Sequence, residues 1–161
     1  MLPSIDWTSL DKHSAFINGP EYGPFEENLR KIIEGASIHH LKTKPFPPTV
    51  LTEAPCIEFA TFYSVEEGFI ENIETFCQAV DMGKPEGYVG YATGEVVEQI
   101  MRRKDPAQEE KAAVILLGWE SKEKHLKFRE TELFAKHIGL LREKHGGVEM
   151  VSSPAVKKYQ Y

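Results

Sequence analysis

His125 is the side chain whose type and setting best suit acid–base chemistry. A neutral imidazole near pH 7 can act as a general base toward a phenol or an acidic C–H. It sits in Trp119-Glu120-Ser121-Lys122-Glu123-Lys124-His125-Leu126-Lys127-Phe128, and the frame recurs at Trp7-Thr8-Ser9-Leu10-Asp11-Lys12-His13-Ser14-Ala15-Phe16. Trp, Ser, Lys, His and Phe match in register, and Asp11 becomes Glu123. Such a repeat points to duplication of one structural unit, and it copies structure as readily as function. His125 is therefore a candidate catalytic base, or a ring that fixes the fold by capping a short helix or bonding a carbonyl. Trp119 either walls a pocket for an aromatic molecule, with its indole N–H as donor, or anchors the following helix in the core. Phe128 shares a helix face with His125 and joins the candidate substrate-binding set. Tyr63, Tyr88 and Tyr91 complete that set, with hydroxyls that could orient a polar aromatic ligand; the alternative is sheet aromatics with wet tips.

Other chemistries find little support. His39 and His40 are adjacent, so on a strand they point to opposite faces and cannot chelate one ion together. His137 and His145 read as exposed positions on a charged helix, as do Glu130 and Glu132 beside the helix break. No Cys/His set has metal-ligand spacing, so no metal is expected. Nothing in the spacing supports His125 as a haem ligand, and no cofactor is expected. Gly83, Gly87, Gly90 and Gly94 occur singly rather than as a phosphate loop, and Ser64 lacks a nucleophile elbow.

The elements that must position these residues follow from hydrophobic periodicity. Ile57–Tyr63 reads as a strand. Ser64 and Glu67 form an expected capping box for a helix whose apolar face is Phe69, Ile70, Ile73, Phe76, Cys77 and Val80. Gly83 and Pro85 stop it. Residues 87–100 read as a strand, 101–110 as a charged loop, and Ala112–Trp119 as a strand covered on both faces. A single helix after Trp119 would put Phe128 nearly opposite Leu126, Leu133, Phe134 and Leu141 at about 100° per residue. A break solves this, with one helix starting at Ser121 and a second near Thr131. Gly146 and Gly147 end the second, and Val148–Val151 is the last strand. In the first copy Asn18-Gly19-Pro20 and Gly23-Pro24 interrupt the corresponding place, Phe25, Leu29, Ile32 and Ile33 resume the apolar face, and residues 36–41 are the expected closing strand.

The order from 55 to 155 is strand, helix, strand, strand, helix, strand. This is the α+β, ferredoxin-like βαββαβ arrangement with an antiparallel sheet, preceded by a partial helix–strand copy. The expected organisation is a half-repeat over 1–42, a proline-rich linker over 43–54 whose prolines forbid a helix, the complete unit over 55–155 and a tail over 156–161. A sheet with helices on one side must cover its other face, and a homodimer through that open sheet face is the expected solution.

Composition narrows the partners. The net charge of −6 argues against nucleic acid, which needs a basic stripe. No run of eighteen apolar residues spans a bilayer, and the start lacks the basic and apolar regions of a secretory signal, so a cytoplasmic protein is expected. Cys56 and Cys77 do not make a disulfide framework, and Cys77 reads as a buried thiol.

Leu117-Gly118-Trp119-Glu120-Ser121, with Lys124, His125 and Phe128 downstream, resembles the antibiotic-biosynthesis-monooxygenase-like (ABM) domains of the dimeric α/β-barrel superfamily, and most of all their uncharacterised two-copy fungal forms. The likeness covers about residues 54–155, with a weaker half-match over 5–42. It implies two sheets packed face to face as a barrel and a cavity between sheet and helices. It also implies a cofactor-free monooxygenase-like enzyme acting on phenolic or polyketide-like compounds, or else a non-catalytic small-molecule-binding or dimerisation module. The first copy departs from the family in lacking its opening strand, helix and strand.

Overall fold

The computed structural model describes residues 5, 7–31, 39–102 and 108–154. They fall into two units, Ser4–His40 and Leu41 onward.

The first unit holds α1 (Leu10–Ile17) and α2 (Tyr22–Arg30). Ser9 is extended and its hydroxyl accepts the Lys12 N–H at 3.2 Å, a side-chain N-cap that starts α1. The break falls at 18–21, because Asn18 and Gly19 close the helix on Ser14 and Phe16 carbonyls. Gly23 and Pro24 do not prolong the break as expected. They lie in the first turn of α2, where a proline gives up no helical hydrogen bond. Phe16 packs on Phe25 at 5.4 Å between centroids, so the two helices share one small aromatic cluster. Of the expected closing strand, 36–38 lie outside the described residues, and Leu41 belongs to the second unit.

That unit contains β1 (Leu41–Lys44), α3 (Val50–Glu53), β2 (Cys56–Tyr63), α4 (Phe69–Gly83), β3 (Tyr88–Val96), β4 (Ile100–Met101), β5 (Glu109–Glu110), β6 (Ala112–Trp119), α5 (Lys122–Phe128), α6 (Glu132–His137), a 3-10 turn (Ile138–Leu141) and β7 (Gly147–Pro154). The main sheet is antiparallel in the order β1-β3-β6-β2-β7. Without β1 this is the ferredoxin-like order, with α4, α5 and α6 as the helices of the βαββαβ chain. Every residue of β6 is buried, as its unbroken apolar run requires of a central strand. On the helix side Ala113, Ile115, Leu117 and Trp119 meet Phe69, Ile73, Phe76 and Val80 of α4 in the principal core.

Two local expectations fail for physical reasons. Ser64 does not cap α4. Its backbone is left-handed at φ 51°, and its hydroxyl donates to the Glu110 carboxylate. The cap position falls to Gly68, at φ 82°, which a residue without Cβ adopts freely. The prolines of 43–54 also fail to exclude a helix. Lys42 and Thr43 pair with Glu95 and Gly94 as a sheet edge, Pro45–Pro48 turn the chain away, and Val50–Glu53 then winds one turn. Proline blocks a helix that contains it, not one that starts after it.

That turn covers part of the sheet's second face. Val50 and Ala54 are 2% and 1% exposed and pack on Ile57, Ala92 and Leu116. A Cβ on Gly118 would stand 2.5 Å from Val50 Cγ2 and 2.6 Å from the Ala54 methyl, so only glycine lets α3 approach so closely. The chain itself thus hides surface that the sequence reading assigned wholly to a twin. At the other end of the sheet Ile100 packs with Tyr63 and Ala112.

Candidate functional site

The break after Trp119 places the candidate base. Ser121 is extended and accepts the Lys124 N–H, and Thr131 accepts the Phe134 N–H at 3.2 Å, so each of α5 and α6 has its own side-chain cap. The Ser121 hydroxyl also holds the Glu123 carboxyl below the usual range, helped by a backbone N–H. The first helix turns His125 and Phe128 onto Trp119. The His125 ring stacks on the indole at 5.5 Å and 27°, and Phe128 lies 5.1 Å away at 34°. In the first unit Trp7 and His13 stack at 4.6 Å and 23°, with Phe16 at 5.4 Å and 38°. The repeated sequence frame therefore has the same local packing at both places.

Each of the two histidines has a polar contact. His125 Nε2 meets Glu58 Oε2 at 2.8 Å, and both side chains are 8% exposed. Glu58 comes from β2, the opening strand of the complete unit. In the first unit His13 Nδ1 contacts His40 Nε2. Glu58 was missed in the sequence. Its signal was available: in β2 it alternates with Ala60 and Phe62 on the face toward α4, an acidic residue at a core position.

The space around Trp119 is filled. Trp119, Phe69 and Phe128 are 0%, 0% and 3% exposed and belong to one core cluster. Among the described residues the Trp119 indole N–H has no hydrogen-bond partner. Tyr88 packs edge-on to the indole at 5.7 Å and donates its hydroxyl to Asp81 at 3.2 Å. Tyr63 does not join this group. It faces the other side of the sheet, buried, with its hydroxyl on Glu149 and the Arg102 guanidinium over its ring. His145 is not the exposed residue expected; its ring contacts Phe62 and Phe69 at 5.2 and 5.1 Å.

Open space lies elsewhere. A cleft of about 600 Å³ separates β3 from the Pro45–Glu53 segment and is floored by α4; Lys44, Glu53, Glu74, Gln78, Asp81 and Tyr91 line it. It exists because β1 pairs with β3 only as far as Thr93, after which Pro45 leads the chain away. Among the described residues, 89–91 of β3 thus present an edge with no β-ladder partner from that side. Tyr91 is the one sequence-predicted aromatic whose side reaches this cleft. Burial pushes its phenol pKa up, and Cys77, Asp81 and Glu74 add to the rise, so the hydroxyl stays protonated and able to donate. The α4 carboxylates were legible only as a polar helix face, and Lys44 and Glu53 only as linker.

Among the described residues no group of three His, Cys, Asp or Glu side chains could hold a metal ion, and no helix is long and apolar enough to cross a membrane. No family profile and no curated protein sequence matches the chain. Solved structures do. A protein from Fusobacterium nucleatum described as a candidate monooxygenase superposes with a TM-score of 0.53 at 12% identity, over 94% of this chain and 67% of its own. A candidate monooxygenase from Lactobacillus acidophilus gives 0.51 at 11% identity over 89% of this chain, which spans 64% of that protein's length. A candidate antibiotic biosynthesis monooxygenase from Bordetella bronchiseptica gives 0.46 at 16% identity, over 65% of this chain and 99% of its own. The chain has the fold of the first two, and at that level the resemblance read from the sequence holds.

Proposed function

We propose that this chain is a monooxygenase-like small-molecule protein, independent of a cofactor, whose phenolic or polyketide-like ligand enters the cleft beside Tyr91. One observation carries the reading: the interior at Trp119 is packed solid, whereas the cleft is open and has an aromatic wall and hydrogen-bonding groups. A phenolic hydroxyl entering there can donate to Asp81 in the way that the Tyr88 hydroxyl does. His125 and Glu58 then act as positioning residues that tie β2 to α5. Residues 1–42 are, in this reading, a half-repeat of the unit at 55–155, supported by the matched Trp–His–Phe packing. Tyr91→Ala should weaken binding of simple phenols about tenfold, the upper range of one aromatic contact. Amide shifts on titration should centre on residues 78–93. Shifts centred on Trp119 and His125 would overturn the assignment.

A second reading, a homodimer through the sheet face opposite α4, is favoured by Phe59 and Val151. They are register partners on β2 and β7, and Val151 is 38% exposed. Light scattering should then show a dimer for the native chain and a monomer for Val151→Lys. A native chain monomeric at every concentration removes this reading.

A further inference from the structure

We infer that the ligand of the cleft carries a cationic nitrogen, an amine borne on its aromatic body; this rests on the assignment of the cleft as the binding place. Three carboxylates line the cleft, Glu53, Glu74 and Asp81, against one lining ammonium, Lys44, and a second, Lys84, that reaches Asp81 from outside the lining. Glu74, Gln78 and Asp81 stand at helical spacings of four and three, so α4 turns one continuous stripe toward the opening. Glu53 faces it from α3.

The molecule already shows how such a wall treats ammonium groups. Lys44 extends from the end of β1 to Glu74, 3.1 Å away. Lys84 reaches Asp81 at 2.9 Å with its ammonium 5.6 Å from the centre of the Tyr88 ring. Both lysines are largely exposed, 77% and 67%, so these pairs are weak and a better-seated cation can replace them. One aspartate thus receives a phenol, from Tyr88, and an ammonium, from Lys84, which are the two groups the ligand would bring.

The strand edge adds hydrogen-bonding groups that an ammonium can share with the carboxylates. Among the described residues no strand pairs with the outer edge of β3 over residues 89–91, and that edge presents carbonyl acceptors beside N–H donors. An ammonium with three donors suits carbonyls and carboxylates together; a ligand carboxylate would meet like charge. The substrate class expected from sequence is thereby narrowed, and acidic polyketides fall outside it.

The test uses three phenols that differ only in charge, tyramine, 4-methylphenol and 4-hydroxyphenylacetate, titrated into the whole chain by calorimetry. Tyramine should bind about tenfold tighter than 4-methylphenol, the size of one screened charge pair, and the acid weakest. The advantage should shrink in about 0.5 M salt, and a Glu74→Gln, Asp81→Asn double variant should bind all three alike. Equal binding by the native chain, or preference for the acid, overturns the inference while leaving the cleft assignment standing, provided that Tyr91→Ala still weakens all three. No saturable binding by any of them overturns both.

Discussion

Trp119→Ala lowers the unfolding free energy by about 4 kcal/mol, within the range of about 3–5 kcal/mol for truncating a large buried aromatic. The indole is fully buried at the junction of three elements, against Tyr88 of β3, His125 and Phe128 of α5, on the strand at the centre of the sheet. Its removal opens a cavity between sheet and helix, and central β6 cannot move to fill it without breaking ladders to β2 and β3. Trp119→Phe is the informative companion. The indole N–H makes no hydrogen bond among the described residues, so phenylalanine forfeits volume alone, at a cost of about 1–2 kcal/mol. Urea denaturation of the two variants gives both numbers. A loss under about 1 kcal/mol for the alanine variant would mean that the indole is not the anchor of this core. If Trp119 were instead the wall of the ligand site, Trp119→Phe would weaken tyramine binding as much as Tyr91→Ala does.

What the sequence discloses and what it hides have physical reasons. The helix break at 129–131 is legible because one phase of the 3.6-residue period cannot bury both Phe128 and Leu133, and the structure supplies two caps, Ser121 and Thr131, where that conflict demands them. The strands follow from alternation and from the apolar run of β6. The capping box at Ser64 misleads because hydroxyl chemistry is local while its partner is not: Glu110, far along the chain, takes the hydrogen bond. Burial alone would raise the Glu110 pKa, yet hydrogen bonds from Ser64, Arg102 and Gln108 hold it low. The cleft is hidden for a similar reason. It is made by where β1 stops pairing and where α3 lands, and neither is a property of Tyr91 or Asp81 as residues. Fold is written in periodicity that any window of the chain displays; a site depends on which separate windows meet.

Glu58→Ala and His125→Ala each destabilise the chain by about 3 kcal/mol. Whichever of the two holds the proton, deleting its partner leaves a polar group enclosed at 8% exposure without its mate, and the cost falls where the ranges for neutral and charged buried groups meet. The losses are not additive, because the second deletion removes the group that the first orphaned. A double variant with apolar residues of like size, Glu58→Met with His125→Leu, therefore recovers to within about 1 kcal/mol of the native chain. Urea unfolding of the four proteins decides the matter, and single variants that each lose less than about 0.5 kcal/mol would show that the pair is solvated and dispensable. The same proteins separate the two roles that the repeated histidine allows. A positioning residue loses stability while the folded variant still binds tyramine with native affinity, since the cleft wall on α4 and β3 includes neither Glu58 nor His125. A catalytic base would do the reverse: His125→Gln would keep its stability and stop turnover of a bound phenol. The stacked copy in the first unit favours the former, because the same ring packing of Trp7 on His13 recurs there.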